Sequence, residues 1–458
     1  MEIIIVGCGK VGSFLARELS EEGHNIVVVD TKADRVEETA LESDALGCIG
    51  NAISHETLKE AGVETADLLI ALTGNDEVNL LCCLLAKRAG SCATIARVRN
   101  PEYQDALSFL GRVLDLAMVV NPEQAAAEEI FRVLHFPAAI NVDTFSRGSS
   151  EILKFRIRDN SPLDGMPVRD VVRQLHANIL VCVVERGEEV FIPDGDFVLQ
   201  TRDLVSIAGT PKEALSFFKQ IGVPTNTVRD IIIIGASRIA FYLAKMLEKS
   251  KIHVTIIEKD LDACTNIAEK LPFVNVIHGD GSDQKLLLDE GLADVDAFAA
   301  LTGLDEENVF LSLYAKSRAR MKTITKINRI GFDEVISDLD LDTIINPKKM
   351  TAQSILRYAR TMANTVGSNV ETLHRLAGDK VEALEFVIRK DSPVTNVSLS
   401  KLNLKPGVLI ALIEREGRVF IPRGSDSIQA DDRVIVITKA TGMCDVKDIL
   451  ESRGGLQR

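Results

Sequence analysis

The chain has 458 residues, with 53 Lys and Arg against 67 Asp and Glu, and a formal net charge of −14. At about 100–200 residues per domain, this length predicts two to four domains. Hydrophobic residues make up 46% of the chain, which is ample for buried cores and argues against disorder. The acidic balance argues against a general nucleic-acid binder, although a local basic patch is compatible with it.

The termini and the cysteines indicate a reducing compartment. No apolar run reaches the ~18–20 residues that span a bilayer. Met1 leads directly into an Ile/Val run in place of a basic, cleavable leader. The eight cysteines include no C-x-x-C pair, and the seven histidines show no ligand spacing. We therefore expect a cytoplasmic protein with small buried cysteines and no metal site.

Short aliphatic strands alternate with helices along the first 98 residues. The patterns predict strands at 2–6, 26–29, 46–49, 68–72 and 94–98, and helices through 14–19, 33–42, 54–61 and 77–89. This alternation is typical of a doubly wound parallel sheet that is covered on both faces. Asn121-Pro122 then predicts a helix N-cap and first helical residue, and the helix runs to about Leu134.

The segment after this helix has a different pattern. Residues 151–158 alternate polar and apolar, residues 179–185 and 190–193 flank a tight turn, and residues 204–208 form a last aliphatic run. Such patterns predict a strand, a hairpin and a final strand. We expect a small α+β module here.

The sequence contains an internal repeat, in which one two-part unit occurs twice. Ile4-Ile5-Val6-Gly7 matches Ile232-Ile233-Ile234-Gly235, and Val190-Phe191-Ile192-Pro193 matches Val419-Phe420-Ile421-Pro422. The spacing between matches is mostly 228 or 229, and half of 458 is 229, so duplication accounts for the whole length. We predict four domains, at residues 1–123, 140–224, 229–347 and 368–453.

A glycine-rich turn follows the first strand. Gly7-Cys8-Gly9-Lys10-Val11-Gly12 has G-x-G-x-x-G spacing, and Asp30 ends the next strand. These glycines permit a tight turn, the approach of a pyrophosphate and close helix–strand packing, while the helix N-terminus offers free amides. Asp30 can accept from both ribose hydroxyls and would repel a 2′-phosphate, which favours NAD or NADH over NADP. ATP and ADP share the adenosine phosphates, so the motif separates them poorly from NAD.

Other candidate ligand-binding residues follow later strands. Asn51 and the loop Thr73-Gly74-Asn75 come after the third and fourth strands, at carboxyl ends where open α/β sheets bind ligands. Glu77 is either part of the site or a first-turn acid of a helix. Arg97 lies among apolar residues and needs a partner, which is a ligand phosphate, a carboxylate on the side of Asp30, or a structural salt bridge.

The second half departs from this motif. Gly235-Ala236-Ser237-Arg238-Ile239-Ala240 keeps only the first glycine, and Ser237 places a β-carbon where the pyrophosphate would approach. Glu258 keeps the ribose acceptor. The second site therefore binds a different ligand or is empty, and its other candidate residues are Asp280, Thr302, Arg238 and Lys326.

Together, these doubled motifs resemble the TrkA family, which are tandem proteins of RCK (regulator of K⁺ conductance) N and C domains. The resemblance covers nearly the full length and rests on the glycine turn, Asp30, the Thr73–Asn79 loop, the Asn-Pro helices and both Ile-Pro hairpins. It implies two Rossmann-like domains, each followed by a small RCK C-terminal domain, and no enzyme activity.

The same resemblance implies a function. It predicts a cytosolic regulatory subunit, peripheral at the inner face of the cell membrane, that gates a Trk-type potassium transporter in response to NAD(H). ATP or ADP at the same or the second site is the alternative ligand. The family implies self-association into a ring, which we expect to be a homotetramer, and no nucleic-acid partner.

Two other functions remain open. An NAD-dependent oxidoreductase needs an acid or base positioned near the nicotinamide, and the small modules offer only His176 without a sequence partner. A nucleotide-responsive regulator of another cation transporter or antiporter fits the same motifs.

The helices after Asn121 and Asn346 carry apolar stripes with no obvious use inside a finished doubly wound domain, which predicts that they assemble subunits. The resemblance to the TrkA family implies that such helices cross over between neighbouring N domains. On this hypothesis, polar substitutions at Ile130 with Phe131, or at Ile355 with Leu356, reduce the size of the assembly.

Overall fold

The computed structural model describes residues 1–103, 111, 113–135, 139–145, 150–175, 177–223, 228–328, 339, 341–364, 370–378, 380–440, 443 and 445–451. The chain divides into two compact units. One comprises Met1–Phe131 and Arg229–Arg360, and the other comprises Arg132–Val228 and Thr361–Arg458. Each unit therefore pairs equivalent parts of the two halves. No helix of the described residues is long and apolar enough to cross a membrane.

The first N domain is a parallel six-stranded sheet with helices on both faces. Its strand order is β3-β2-β1-β4-β5-β6, and Ile3–Ile5 at its centre are buried. The strand order reverses between β1 and β4, which opens a crevice at their carboxyl ends. Its elements are β1 (Glu2–Val6), α1 (Lys10–Glu21), β2 (Asn25–Asp30), α2 (Ala33–Ser43), β3 (Leu46–Ile49), α3 (His55–Glu60), β4 (Leu68–Ala71), α4 (Asp76–Ala89), β5 (Ala93–Arg97), β6 (Met118–Val120) and the outgoing helix α5 (Pro122–His135).

The first small module is an antiparallel sheet with two helices. The predicted hairpin is confirmed, with Arg186 paired to Glu189 across its turn. Phe155, Phe217 and Phe218 pack edge-on in its core. The strand order is β10-β9-β11-β8-β7, and the elements are β7 (Asn141–Phe145), β8 (Ser150–Arg156), α6 (Val168–Gln174), β9 (Leu180–Arg186), β10 (Glu189–Phe191), β11 (Leu204–Gly209) and α7 (Pro211–Gln220).

The second N domain repeats the first, with strand order β14-β13-β12-β15-β16-β17. The doubly wound prediction is therefore confirmed for both halves. Its elements are β12 (Asp230–Ile234), α8 (Arg238–Leu247), β13 (His253–Glu258), α9 (Leu261–Lys270), β14 (Asn275–His278), α10 (Gln284–Asp289), β15 (Ala297–Ala300), α11 (Asp305–Arg318), β16 (Lys322–Lys326), β17 (Thr343–Ile345) and the outgoing helix α12 (Pro347–Asn364).

The second small module pairs with the first. Its antiparallel order is β18-β19-β22-β20-β21, with β18 (Val370–Leu376), β19 (Val381–Val387), β20 (Val408–Arg415), β21 (Arg418–Phe420) and β22 (Arg433–Thr438). One buried cluster includes Cys182 and Ala208 from the first module with Ala411 and Ile437 from the second. The shared apolar core explains why the two modules form one unit.

Candidate functional site

A cavity of about 850 Å³ lies at the carboxyl ends of the strands of the first N domain and extends to the second N domain. The first domain contributes the glycine turn, Asp30, Asn51 and the Thr73–Asn75 loop. The second contributes Ser237–Ile239 and the first residues of α12, among others. The site is therefore built by both halves of the chain, within one compact unit.

The cavity is strongly cationic although the chain is acidic. Its described lining holds eight Lys and Arg side chains against the carboxylates of Asp30 and Glu123. Positive side chains of a chain with a formal charge of −14 thus cluster around one cavity, which favours an anionic ligand. The eight cations are Lys10, Lys32, Arg35, Arg97, Arg99, Arg238, Lys326 and Lys348.

The glycine turn is shaped as the sequence predicts. Gly7 has a φ of +103°, and a Cβ there would lie 3.0 Å from the carbonyl carbon of Leu72. A Cβ at Gly12 would lie 2.0 Å from the oxygen of Gly7, so α1 packs directly on the turn. A Cβ at Gly9 would meet nothing within 4 Å. Gly9 is therefore the position of the turn that leaves room for a ligand.

Asp30 is held at the end of β2 by main-chain amides. Its Oδ2 accepts from Cys8 N at 2.9 Å, and its Oδ1 accepts from Lys32 N at 3.1 Å. Each carboxylate oxygen has a further acceptor position, so a ribose hydroxyl can still donate to it. Glu258 is held in the same way by Ala236 N at 2.7 Å and Asp260 N at 2.9 Å, but it does not line the cavity.

The loop after β4 is fixed before any ligand binds. The Thr73 hydroxyl donates to Asn79 Oδ1 at 2.7 Å, and Asn75 Oδ1 caps α4 by accepting from Val78 N at 2.8 Å. Asn79, which sequence reasoning did not assign to the site, ties this loop to β5 by donating to Arg97 O at 2.9 Å. The sequence did contain a signal for the importance of Asn79, because Asn308 occupies the matching position in the second half.

Arg97 lines the cavity, and it makes no ion pair with the described part of the chain. Its Nη2 donates to Thr73 O, and its buried Nε has no hydrogen-bond partner among the described residues. Burial, and next the neighbouring Arg99, lower the pKa of Arg97. An anion bound in the cavity would give this guanidinium a hydrogen-bond acceptor. The structure is therefore compatible with the hypothesis that Arg97 binds a ligand phosphate.

Glu77 lies away from the cavity lining. Its carboxylate is exposed and accepts from the Tyr103 hydroxyl, a hydrogen bond that lowers the pKa of Glu77. Of the two roles considered for it, the first-turn acid of a helix fits the structure. Cys8 is also outside the lining, and burial, followed by the charge of Asp30, raises the pKa of its thiol to about 11.

The second glycine turn differs from the first at the start of its helix. Ser237 Oγ caps α8 by accepting from Ala240 N at 3.3 Å, whereas Gly9 leaves α1 without a side-chain cap. Ser237, Arg238 and Ile239 line the cavity of the first half. The structure places the other candidates of the second half outside that lining; these are Gly235, Ala236, Glu258, Asp280 and Thr302.

The cysteines and histidines of the described residues were the other candidates for chemistry. The seven described cysteines are buried and free, and no group of His, Cys, Asp and Glu there could hold a metal ion. His176 and Cys444 lie outside the described residues. The small modules contain a second histidine, His374, contrary to the sequence argument, and its Nδ1 lies 3.2 Å from Asp143 Oδ1.

The fold and the cavity define a class of proteins with two nucleotide-binding-type domains, each followed by a small antiparallel module. The TrkA-N domain model matches residues 3–122 and 231–347, and the TrkA-C domain model matches residues 152–222 and 383–451. Among solved structures, the chain is similar to the GsuK channel bound to NAD, with a TM-score of 0.60 and 20% identity over 95% of this chain and 76% of that one. The GsuK RCK domain gives a TM-score of 0.62, with 19% identity over 95% of this chain and 92% of that one.

Curated relatives are more similar in sequence. The Trk system potassium uptake protein TrkA homolog of Archaeoglobus fulgidus is 33% identical over 96% of this chain and 97% of its own length. The Trk system potassium uptake protein TrkA of Halomonas elongata is 31% identical over 95% of each. The chain therefore belongs to the TrkA family of Trk system potassium uptake proteins.

Proposed function

We propose that this chain is a cytosolic regulatory subunit of a Trk potassium uptake system, which binds NAD(H) or an adenine nucleotide in the cavity and thereby gates a membrane potassium transporter. The observation that carries the proposal is the cationic cavity at the glycine turn of an otherwise acidic chain. The open position at Gly9, the uncapped start of α1 and the fixed Asp30 match the phosphates and the ribose of such a ligand.

A ligand in this cavity has a direct means of regulation. The lining belongs to both N domains, so a bound nucleotide contacts both of them, and the regulation proposed here is a change in their relative position. A ligand shifts such an equilibrium only by the difference in its affinity for the two arrangements. Ligands of different phosphate charge are expected to differ in this respect, because the cations come from both domains.

The partner and the assembly follow from the family. Relatives that match over nearly their full length are named for a potassium uptake system, which supports a Trk-type integral membrane transporter as the partner. A homotetrameric ring at the inner face of the membrane fits a chain that already holds two equivalent units, because an even-numbered ring closes easily by symmetry. We propose no enzymatic reaction.

Gly9→Val tests the site. The new side chain begins in open space at the cavity, because a Cβ at this position has no neighbour within 4 Å. We expect the variant to fold normally and to lose at least tenfold in affinity for NADH and ATP, measured by calorimetric titration of the full chain. Gly303→Val is the matched control, because that position also has free space but does not line the cavity.

The regulatory role needs a second measurement. Potassium flux into vesicles that hold a Trk-type transporter should depend on nucleotide with wild-type protein and lose that dependence with Gly9→Val. Nucleotide binding without any effect on flux would support the regulator of another transporter, and steady consumption of NADH with a candidate substrate would support the oxidoreductase.

A further inference from the structure

Helices α1 and α12 both begin at the cavity and are joined near their other ends by an ion pair. Arg360 near the end of α12 makes a two-pronged ion pair with Glu22 at the end of α1, and its Nε lies 3.0 and 3.1 Å from the two carboxylate oxygens. Lys10 and Lys348 each lie twelve residues before these partners and line the cavity. Twelve helical residues span about 18 Å, so the two helices run in the same direction from the cavity to the ion pair.

The cavity end of this helix pair carries like charges. Lys10 and Lys348 occupy the first turns of α1 and α12, where helix dipoles add positive potential. Burial first, and then the charge of Lys10, lower the pKa of Lys348, while Asp305 opposes them. Asp305 is already engaged by Asn328, whose backbone N donates to it at 2.9 Å. This end of the pair is thus deficient in negative charge.

The equivalent pair, formed by α5 of the first half and α8 of the second, has a carboxylate in place of one of the two cations. Helix α5 begins with Pro122-Glu123 where α12 begins with Pro347-Lys348, and α8 begins with Arg238 where α1 begins with Lys10. Glu123 and Arg238 line the same cavity, and both act electrostatically on the Tyr242 hydroxyl. One pair of helix starts therefore combines a carboxylate with a cation, whereas the other combines two cations.

We propose that Lys10 and Lys348 form a subsite for the phosphates of the nucleotide that are farthest from the adenosine, so that a lysine of the second half selects ligands by phosphate charge. The charge inversion between Glu123 and Lys348 adds to the difference between Gly9 and Ser237, and together they give the ligand one orientation in the cavity. This inference rests on the proposed nucleotide site and assigns a specificity-determining role to Lys348.

Calorimetric titration of the full chain with ATP, ADP, AMP and adenosine, at fixed ionic strength and without divalent cations, tests the subsite. Lys348→Met should weaken ATP about tenfold or more, ADP less, and adenosine not at all, because only charge-assisted contacts are lost. Lys348→Arg should retain the preference for ATP. Lys349→Met is the matched control, since it removes the adjacent charge outside the cavity lining, and should change each affinity by less than about twofold.

A double-mutant cycle adds a readout that a purely structural role would not change. If Lys10 and Lys348 contact the same phosphates, Lys10→Met and Lys348→Met together should cost less ATP affinity than the product of the single losses. Equal losses for ATP and adenosine, or an unchanged ATP affinity in Lys348→Met, would overturn the subsite while the nucleotide site stands. Wild-type protein that binds none of the four ligands would overturn the proposed function itself.

Discussion

At Gly9 and Ser237, one side chain distinguishes the two glycine turns. Gly9 leaves the first amides of α1 without a side-chain cap and opens into the cavity, whereas the Ser237 hydroxyl occupies the corresponding place on α8. A capped helix start offers fewer free donors to a phosphate. The sequence showed this difference directly. It did not show that Ser237 and Arg238 would line the cavity of the other half.

Several residue roles depended on three-dimensional neighbours. Arg97 was identified from its apolar surroundings, but its bond to the carbonyl of Thr73 joins residues 24 positions apart in sequence. Glu77 looked equally suited to a site or a helix start until its contact with Tyr103 was known. A sequence motif identifies which charged residues are candidates for the site. Their hydrogen-bond partners depend on how β4 pairs with β5.

Glu151 on β8 gives a prediction about pH. It is buried, its Oε2 has no hydrogen-bond partner among the described residues, and burial, opposed by Arg132, raises its pKa to about 7 from an ordinary value of 4.5. Between these two pH values the folded protein holds a proton that the unfolded chain releases. Stability is therefore lost as pH rises through this window, and the loss is complete above pH 7.

Glu151→Gln should remove that loss. We expect the melting temperature of the full chain to rise by about 3 °C or more at pH 8, with no gain at pH 4. Scanning calorimetry at the two pH values provides the measurement. The exposed Glu188→Gln is the control, and an equal gain for Glu151→Gln at both pH values would contradict the argument.

At the scale of elements, the two outgoing helices were predicted correctly, and the structure shows where part of their apolar stripes is buried. Ile130 and Ile355 are fully buried and Leu356 is 3% exposed within a single chain. The prediction that polar substitutions here reduce the size of the assembly stays a prediction, and burial adds that such substitutions would also disturb the fold of the single chain. Periodicity reveals an apolar stripe, but a stripe covered within the chain looks the same in sequence as one covered by another subunit.

The helices do join N domains, and they do so inside the chain. Asn121, which caps α5, donates from its side chain to the Tyr242 hydroxyl of α8 at 3.0 Å. Tyr242 in turn donates to Arg99 O at 3.3 Å. These contacts connect the first outgoing helix to the second N domain, as the crossing hypothesis required.

Ile355→Asp should consequently unfold the chain and not merely dissociate it. A charge at a fully buried aliphatic position is expected to cost more than about 3 kcal/mol. Thermal unfolding followed by circular dichroism should show a lower transition, and light scattering should show aggregation or loss of protein. Leu41→Asp is the control, because that residue is 88% exposed. A well-folded, smaller species from Ile355→Asp would support the assembly hypothesis.

Long elements were easier to predict than short edges. The aliphatic strands β1, β2 and β4 were found because each carries a run of Ile, Val and Leu. The three-residue edge strands β6 and β17, and the strands β7 and β18 that open the small modules, were missed. The three residues of β6 and of β17 are too few to show a period, so only their pairing with a neighbouring strand identifies them as strands.

At the scale of the whole molecule, the repeat was visible in sequence but the pairing of its copies was not. Either half could have packed its N domain on its own small module. The chain instead groups the N domains in one unit and the small modules in the other. Pro122-Glu123 and Pro347-Lys348 occupy matching positions at the starts of α5 and α12. The structure shows that both helix starts line one cavity, which the sequence alone did not show.

This arrangement predicts one nucleotide per chain. The first half supplies the open glycine turn and Asp30, and the second supplies a capped turn whose residues line the same cavity. NADH and ATP should therefore compete, so that saturating NADH raises the apparent dissociation constant of ATP. Calorimetric titration of the full chain should give a stoichiometry of one for each ligand. Asp30→Asn should weaken both about tenfold or more because the ribose loses a charged acceptor.

Glu258→Gln is the matched control for that variant. Glu258 accepts two main-chain amides as Asp30 does, so both substitutions disturb the turn in the same way. Only Asp30 also faces the cavity. Equal losses of affinity in the two variants would mean that turn geometry, and not ribose recognition, sets binding. Two nucleotides bound per chain, or NADH and ATP bound together, would instead show that the second N domain holds a ligand of its own.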